Sequence, residues 1–272
     1  MAESVESHSR EGRPAWLAWL NLPELSGIDD LDAAGTTLLH ARIIRRKPLL
    51  RRFYEDCYAR FRSALGPSLG GLRIVEVGSG AGFIKEIIPE AMTTDIEPLP
   101  HVDRQMSALQ MPFTDASVDA FFMIDVFHHV PDASAFLSEM NRCLRPNGMI
   151  YMVEPASTPL SRWIYARFHH EPFEPAAGWS FVSRGRLSSA NGALPWIVFC
   201  RDRDRFLAEF PALTIRQLRP FGPLLYLLSG GLTLRQLWPP WGLGIILAAE
   251  WALSPLNPLL GMFMTIQLEK DG

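Results

Sequence analysis

The stretch that decides the fold is Arg73-Ile74-Val75-Glu76-Val77-Gly78-Ser79-Gly80-Ala81-Gly82-Phe83. Its apolar, β-branched start predicts a buried parallel strand. The glycines that follow permit a tight turn and a close approach of the backbone to a ligand, and the residues after Phe83 are predicted to begin a helix with free N–H groups. Strand, turn and helix together predict a nucleotide-type site. A dinucleotide fingerprint would need glycine at position 83, so Phe83 argues against a nicotinamide oxidoreductase.

The spacing of the acidic residue and the glycines narrows the ligand further. It resembles motif I of the class I S-adenosylmethionine (SAM)-dependent methyltransferases, in which an acid precedes three alternate glycines: Glu76, Gly78, Gly80 and Gly82. The resemblance implies that this loop, with Ser79 and Ala81 between the glycines, passes under the methionine part of the cofactor. It also implies that Glu76 orients the loop and the amino group of SAM, which is the expected cofactor.

The second predicted strand, 91–95, ends in an acid that is placed to bind ribose. In a doubly wound sheet this position accepts hydrogen bonds from ribose hydroxyls. The form Asp95-Ile96-Glu97-Pro98 resembles the methyltransferase motif, which implies that Asp95 and Ile96 border the cofactor. Glu97 is the alternative ribose ligand, and a purely structural role for Asp95 as a cap of the next turn also remains open.

The segment 107–119 resembles the Asp-Ala-x-x-Leu-Pro-Phe segment of the type 11 methyltransferases. The resemblance implies that Ala108 and Leu109 lie beside the adenine ring. Ser107 stands where the family has an acid, and a hydroxyl bonds the adenine edge more weakly than a carboxylate does.

A continuous apolar strand, 119–124, ends at Asp125 and leads into Phe127-His128-His129. Ligands bind at the carboxyl ends of central strands in such sheets, so Asp125 and Phe127 are predicted to contact the cofactor. The family carries a similar His-His segment at this place. Asp132 is predicted to cap the helix that follows.

The resemblance covers about residues 70–155 and implies an α/β fold. The expected architecture is a Rossmann-like doubly wound sheet, mostly parallel, with a C-terminal antiparallel strand. Residues 1–65 are predicted to form a tail and a helical cap, and 66–272 the class I methyltransferase domain. Within that domain we expect a substrate-side segment at 156–212 and an apolar helical insertion at 223–261, before the last strand.

Two segments admit several interpretations. The helices predicted over 38–65, kinked at Pro48, carry interleaved arginines that would grip an anionic membrane, hold a phosphorylated substrate or form a solvated surface. The insertion 223–261 is interrupted by Glu250 and by prolines, so no transmembrane helix is predicted. It is expected to be a cap that receives a lipophilic substrate, a patch resting on a membrane, or extra core or a dimer seam.

Methyl transfer to a hydroxyl benefits from a general base, commonly histidine. The candidates are His128, His129, His169 and His170. His170 is the preferred catalytic residue, because it follows the fifth strand and precedes Glu171, and His129 is the second choice. The His-His-Glu run would also suit a metal ion, but neighbouring loop side chains seldom converge on one ion, so no metal is predicted.

Composition limits the remaining choices. A net charge of −3 argues against nucleic-acid partners, and three scattered cysteines indicate a reducing compartment. The first residues lack an apolar signal core, so a cytoplasmic location is expected, with peripheral contact to the inner face of the membrane as an extension of it. The sequence therefore predicts a SAM-dependent methyltransferase acting on a small or lipid-linked acceptor, at a hydroxyl oxygen. The alternative is a SAM-binding, membrane-associated accessory protein without turnover; the oligomeric state is left open.

Overall fold

The computed structural model describes residues 19–25, 32–169, 171–183, 185 and 189–272. The α-helices are Ala34–Arg46 (α1), Pro48–Ala64 (α2), Ala133–Cys143 (α3), Pro159–Phe168 (α4), Arg203–Glu209 (α5), Leu225–Ser229 (α6), Leu243–Leu253 (α7) and Asn257–Leu260 (α8). Shorter helical turns occur at Pro23–Leu25, Ile84–Glu86, Phe127–His129, Leu194–Trp196, Ile197–Arg201, Pro240–Gly242 and Ser254–Leu256.

One mixed sheet organises the chain. Its strands are Ile74–Val77 (β1), Met92–Asp95 (β2), Arg104–Gln105 (β3), Val118–Ile124 (β4), Leu144–Pro155 (β5), Leu213–Phe221 (β6) and Phe263–Lys270 (β7). Their spatial order is β3-β2-β1-β4-β5-β7-β6, and β7 runs antiparallel to both β5 and β6. This is the predicted class I methyltransferase architecture, so the expected fold class is confirmed. Because the order reverses between β1 and β4, their carboxyl ends open a crevice there.

The sheet is covered on both faces, as the continuous apolar strands require. Successive residues of β4 point to opposite sides: Phe121 packs in the apolar cluster beneath α3, and Phe122 in the cluster beneath α2. Helix α3 begins where predicted, because Asp132 accepts a hydrogen bond from the backbone N–H of Ala135 at 2.9 Å. The strand ends on this sheet therefore hold their loops against a rigid support.

Helix α2 belongs to the core of the sheet domain. Its apolar side is buried against β4 and β5, where Phe61 stacks on Phe122 with ring centroids 4.3 Å apart. Its arginines lie on the outer side, and two of them pair with acids one turn along, Arg51 with Glu55 and Arg52 with Asp56. The structure thus gives this basic helix a solvated, ion-paired face, whereas the domain boundary after residue 65 stays a prediction.

The segment after β1 differs from the prediction. The sequence predicts a short helix that ends near Pro89, whereas the structure contains only a 3₁₀ turn at Ile84–Glu86. Helix α2 supports the loop instead: the hydroxyl of Tyr58 accepts a hydrogen bond from the backbone N–H of Phe83 at 3.1 Å.

The apolar insertion forms α6 and then a continuous helical segment, Pro240–Leu260, built from α7, α8 and two 3₁₀ turns. Its 21 residues are long and apolar enough to cross a membrane by length and composition, although the proline breaks had predicted no such helix. The segment joins β6 to β7 and packs on α6 and α4. Within its three helical parts from Leu243 onward, only Ile246 is buried.

Candidate active site

A large cavity of about 1940 Å³ opens at the carboxyl ends of β1, β2 and β4. Eleven of the twelve residues predicted to bind cofactor line it, and so does His129; the eleven are Glu76, Gly78, Ser79, Gly80, Ala81, Gly82, Asp95, Ile96, Ala108, Leu109 and Asp125. Their role in binding stays a prediction, but the fold places them around one space. Since single ligand pockets usually measure about 300–1000 Å³, this cavity has room for two molecules.

The glycines of the loop are required by its shape. Gly78 and Gly80 have φ angles of +65° and +41°, which side-chain-bearing residues rarely adopt. A Cβ atom on Gly78 would lie 2.6 Å from a methyl carbon of Val126, and one on Gly82 would collide with the hydroxyl of Tyr58. The backbone of the loop therefore borders the cavity with no side chain between, which fits a bound cofactor.

Asp95 ties the glycine loop to β2. Its two carboxylate oxygens accept hydrogen bonds from the backbone N–H groups of Gly80 and Glu97, each at 2.9 Å. The structural role that the sequence left open is thus real. Each oxygen keeps a second lone pair, so the same carboxylate still fits a ribose hydroxyl, and Glu97 also lines the cavity.

Glu76 offers the clearest fit to a cationic group. It is buried, it lines the cavity, and its Oε2 atom has no hydrogen-bond partner among the described residues. Burial raises the pKa of Glu76 to about 7, and hydrogen bonds with Ser79 and Tyr58 offset this only in part. An ammonium group, such as that of the methionine part of SAM, would satisfy Oε2 and stabilise the ionised form.

Binding of S-adenosylhomocysteine should therefore strengthen as the pH rises through 7. Only ionised Glu76 pairs with the ammonium group, so a pKa of about 7 predicts that the dissociation constant falls roughly five- to tenfold between about pH 6 and pH 7.5. Isothermal calorimetry measures this directly. The matched variant Glu76→Gln should bind more weakly and without that pH dependence; an equally steep dependence in the variant would assign the titration to another group.

The adenine side is less defined. Ala108 and Leu109 line the cavity, but the hydroxyl of Ser107 accepts a hydrogen bond from the backbone N–H of Leu109 at 3.2 Å. Ser107 thus uses one of its lone pairs to shape its own turn. Its weak match to the acidic family position agrees with this local role.

A buried cluster of imidazole and carboxylate groups follows the end of β4 and lines the same cavity. Glu154, at the end of β5, accepts hydrogen bonds from the backbone N–H groups of Val126 at 2.9 Å and Phe127 at 2.7 Å. It also bonds Nδ1 of His128 at 2.7 Å. Burial alone would lower the pKa of His128, but the bonds with Glu154 and Glu171 outweigh it and hold that pKa well above the usual value.

Glu171 joins the two histidines. Its carboxylate oxygens lie 3.3 Å from Nε2 of His128 and 3.6 Å from Nε2 of His129. His129 contacts the backbone oxygen of Ser189 through Nδ1 at 3.1 Å, so Nδ1 carries the proton and the Nε2 lone pair faces Glu171 and the cavity. Burial, with a contribution from the neighbouring His128, lowers the pKa of His129 to about 4. His129 is therefore neutral at pH 7 and carries a lone pair on Nε2, although its lowered pKa makes it a weaker base than an ordinary imidazole.

The same atoms meet the distance requirement of a metal site. The ligand atoms of His128, His129 and Glu171 lie within 4.8 Å of one another, and so do those of Asp125, His128 and Glu154. The sequence predicted no metal because it showed no converging ligands. In each group two members are near neighbours in the sequence, and the fold brings the third, Glu171 or Glu154, to them from a distant part of the chain.

Asp125 marks the strained point of the site. Its φ angle is +55°, an uncommon conformation for a residue with a side chain. It lines the cavity at the end of β4, and burial, reinforced by the charges of Glu154 and Glu171, raises its pKa to about 8. A strained, protonated carboxyl group between the glycine loop and the histidine cluster is suited to donate a hydrogen bond.

Two of the predicted site residues do not stand as expected. Phe127 was predicted to contact the cofactor, and this is wrong. The 3₁₀ turn at Phe127–His129 rotates its ring into the core, where it is fully buried against Phe136 and Phe199. His170, the preferred catalytic residue, lies outside the described residues. Glu154 was missed, because a glutamate at a strand end has no sequence signature of its own.

Much of the remaining lining is apolar or aromatic. Side chains of this kind include Tyr54, Ile164, Tyr165, Phe168, Phe173, Tyr226, Leu227, Leu232 and Phe263, and polar or charged residues such as Asp32, His40 and Arg235 line the cavity as well. The apolar and aromatic residues come from α2, from the substrate-side segment, from the insertion and from the start of β7. A lipophilic molecule is the complement of such a wall.

Comparison with known proteins identifies the central segment. Residues 75–152 match the family model described as "Methyltransferase domain" (Methyltransf_11). The chain is 29% identical over 121 residues to phthiotriol/phenolphthiotriol dimycocerosates methyltransferase 1 of Mycobacterium ulcerans (strain Agy99), covering 38% of this chain and 45% of that protein. A second protein of that strain, probable phthiotriol/phenolphthiotriol dimycocerosates methyltransferase 2, is 31% identical over 121 residues, 38% of this chain and 47% of its own length. The chain thus spans less than half the length of these curated relatives.

Solved structures of similar shape include a SAM-dependent methyltransferase from Archaeoglobus fulgidus. That match has a TM-score of 0.47 at 14% identity and covers 80% of this chain and 94% of the other. Geranyl diphosphate C-methyltransferase from Streptomyces coelicolor A3(2) gives 0.45 at 15% identity, over 81% and 82% of the two chains.

Proposed function

We propose that this chain, whose residues 75–152 belong to the type 11 SAM-dependent methyltransferase domain family, transfers a methyl group from SAM to a hydroxyl group of a lipophilic acceptor. The membership confirms the predicted family and, through it, SAM as the cofactor. The acceptor, the methylated atom and the catalytic residues are part of the proposal.

The main support for this proposal is that one cavity is lined both by the predicted cofactor-binding residues and by a candidate base. The glycine loop, Glu76 and Asp95 line one part, and the cluster of His128, His129 and Glu171 lines another. The volume of about 1940 Å³ accommodates a cofactor and an acceptor together. Holding two reactants side by side away from water is the main contribution a protein makes to such a displacement.

Different residues of the chain act on the cofactor and on the acceptor. Glu76 and Asp95 orient the cofactor from the loop side, and SAM, when bound, supplies a sulfonium methyl group that replaces the proton of the acceptor hydroxyl. Nε2 of His129 takes up that proton, because its Nδ1–H is held by the carbonyl of Ser189 and the ring is neutral. Glu171, 3.6 Å from Nε2, stabilises the imidazolium that results.

The acceptor class is supported by two independent observations. The lining of the acceptor side is aromatic and aliphatic, with Tyr165, Phe173 and Tyr226 among its members. The curated relatives are named for phthiotriol and phenolphthiotriol dimycocerosates, and a triol is a hydroxyl-bearing acceptor. We therefore propose a long-chain or lipid-linked alcohol or phenol. The location, at the cytoplasmic side of a membrane, follows from such an acceptor and remains part of the proposal.

The test is methyl transfer from radiolabelled SAM to a panel of long-chain alcohols, diols and phenols dispersed in detergent. We expect label in the organic phase, in a product that survives mild alkaline hydrolysis, because ethers resist the treatment that cleaves methyl esters. An alkali-labile or amine-linked product would contradict transfer to a hydroxyl. Binding of S-adenosylhomocysteine with no transfer to any acceptor would favour the accessory protein instead.

A further inference from the structure

The helical segment Pro240–Leu260 carries an exposed face made only of apolar residues. Its large side chains there are Trp241 (79% exposed), Ile245 (60%), Trp251 (80%), Leu256 (45%) and Leu259 (53%). They are separated by four, six, five and three residues, which at about 3.6 residues per turn keeps them on one broad side of the segment. In a soluble monomer the exposed side of a surface helix is normally polar, whereas this helix is apolar on its exposed side as well as on its packed side.

The polar residues of the segment lie on its inner side. Glu250, its single charged residue, accepts hydrogen bonds from the backbone N–H groups of Leu224 at 2.9 Å and Leu225 at 2.7 Å, at the start of α6. Leu243, Ile246 and Leu247 pack on the apolar cluster beneath α2. The helix is therefore fastened lengthwise to the protein, with its apolar side outward.

Helix α4 continues this surface and connects it to the cavity. It contacts α8, and Trp163 (49% exposed) and Phe168 (37%) on it meet edge to face with centroids 5.3 Å apart. Ile164, Tyr165 and Phe168 of the same helix line the cavity. One short helix thus separates the exposed apolar surface from the proposed acceptor chamber.

Two cations border the surface. Arg162 and Arg167 are exposed on α4, and their guanidinium groups lie over the rings of Trp196 and Trp163, at 4.6 and 5.3 Å from the ring centroids. Basic groups beside interfacial tryptophans are the arrangement that binds anionic headgroups, whereas the tryptophans themselves settle at the level of the headgroups.

We propose that the outer face of Pro240–Leu260, together with α4, docks on the surface of a lipid bilayer that contains anionic lipids. In that position the acceptor passes from the bilayer to the cavity beside α4. This route rests on the proposed function, whereas the docking of the protein on the bilayer does not.

A bilayer surface suits the geometry better than the other occupants. A second protein copy would be expected to bring a polar rim, but the outer face of the segment offers only apolar groups over about 30 Å of helix. A spanning helix would have to leave α6, and the bonds of Glu250 together with the packing of Ile246 oppose that. An in-plane helix buries its apolar face at the headgroup boundary without breaking either contact.

Vesicle sedimentation tests the docking. The full chain should sediment with phosphatidylcholine vesicles, and more strongly when phosphatidylglycerol is included. The double variant Ile245→Glu, Trp251→Glu should bind at least about tenfold more weakly to both. Arg162→Gln with Arg167→Gln should lose about tenfold on anionic vesicles only. The control is Leu207→Glu, at a leucine on α5 that is 42% exposed, less than the two substituted residues, and it should bind like the parent.

Other outcomes overturn the proposal. A parent that stays in the supernatant, or a double variant that binds like the parent, removes the bilayer as occupant. A parent dimer that the double variant converts to monomer by sedimentation analysis assigns the face to a second copy. Resistance of vesicle-bound protein to alkaline carbonate extraction assigns a spanning helix.

Entry from the bilayer has its own readout. The double variant should bind S-adenosylhomocysteine normally and methylate a detergent-dispersed alcohol at the parental rate, yet lose activity on the same alcohol embedded in vesicles. Equal loss in both forms would contradict lateral entry. Vesicle binding without any methyl transfer by the parent would leave the docking intact and refute the proposed function alone.

Discussion

The variant His129→Ala is expected to transfer methyl groups about 10²–10⁴ times more slowly than the parent, the usual contribution of a positioned general base. Its affinity for S-adenosylhomocysteine should change little, because His129 belongs to the acceptor side of the cavity. The loss should appear in kcat, since the proton is taken up only as the new bond forms. Single-turnover rates with a detergent-dispersed acceptor measure it without interference from product release.

Two comparisons make this result specific. Glu171→Gln keeps the shape of the side chain but removes the charge beside Nε2 of His129, so it should also lower kcat. His101→Ala, at an exposed histidine that bonds the backbone oxygen of Gly80 in the cofactor loop at 2.6 Å, should change the affinity for S-adenosylhomocysteine more than kcat. A parental rate for His129→Ala would move the base elsewhere.

A chelator separates the two chemistries that the cluster permits. If His129 acts as a base, dialysis against a chelator should leave the rate of the parent unchanged. A rate that falls and is restored by a divalent ion, with Glu171→Gln insensitive to that ion, would mean that the group His128, His129 and Glu171 holds a cation.

The second large effect concerns the cofactor loop. Gly80→Val should weaken binding of S-adenosylhomocysteine at least ~100-fold while the protein remains folded, because a branched side chain is strained at a φ of +41° and projects at the loop that borders the cavity. A Cβ atom there would meet its nearest neighbours, Gly78 O and Asp95 Oδ2, at 3.6 and 3.7 Å, which is ordinary contact. Calorimetry measures the affinity and thermal unfolding checks the fold.

The matched control is Gly70→Val, in the loop before β1, where a Cβ atom would have no neighbour within 4 Å and φ is not positive. It should bind the cofactor product like the parent. Gly82→Ala is a poorer probe, because its Cβ would collide with Tyr58 and disturb the packing of α2. If Gly80→Val bound with the affinity of Gly70→Val, the glycine loop would not be the cofactor site.

Local patterns were sufficient for the sheet and for the cofactor side. Strand β1 is apolar and β-branched, and the turn after it needs glycine at Gly78 and Gly80, so residue type and conformation agree. Asp132 caps α3 for the same reason, since a cap depends on neighbours within one turn. These features also gave the predicted positions around the cavity, because the carboxyl ends of parallel strands meet at one edge.

Features that depend on which way a side chain points could not be predicted in this way. Phe127 follows a cofactor-facing strand end, yet a single 3₁₀ turn carries its ring into the core. A short helix ending near Pro89 was predicted after β1, but the segment forms only a 3₁₀ turn, and α2, from earlier in the chain, supports the loop.

The sequence by itself thus determined the class I sheet, the glycine loop and the acid that follows β2, because these rest on contacts between near neighbours and on strand order. Only the tertiary structure brought Glu154 to His128 and Glu171 to both histidines, and for Glu154 the reason is the pairing of β4 with β5, which places residues 26 positions apart within 2.7 Å. Only the tertiary structure showed that the helical segment Pro240–Leu260 turns its charged Glu250 inward and its tryptophans, Trp241 and Trp251, outward. Composition states how apolar a helix is; which side meets the protein depends on the surface that it packs against.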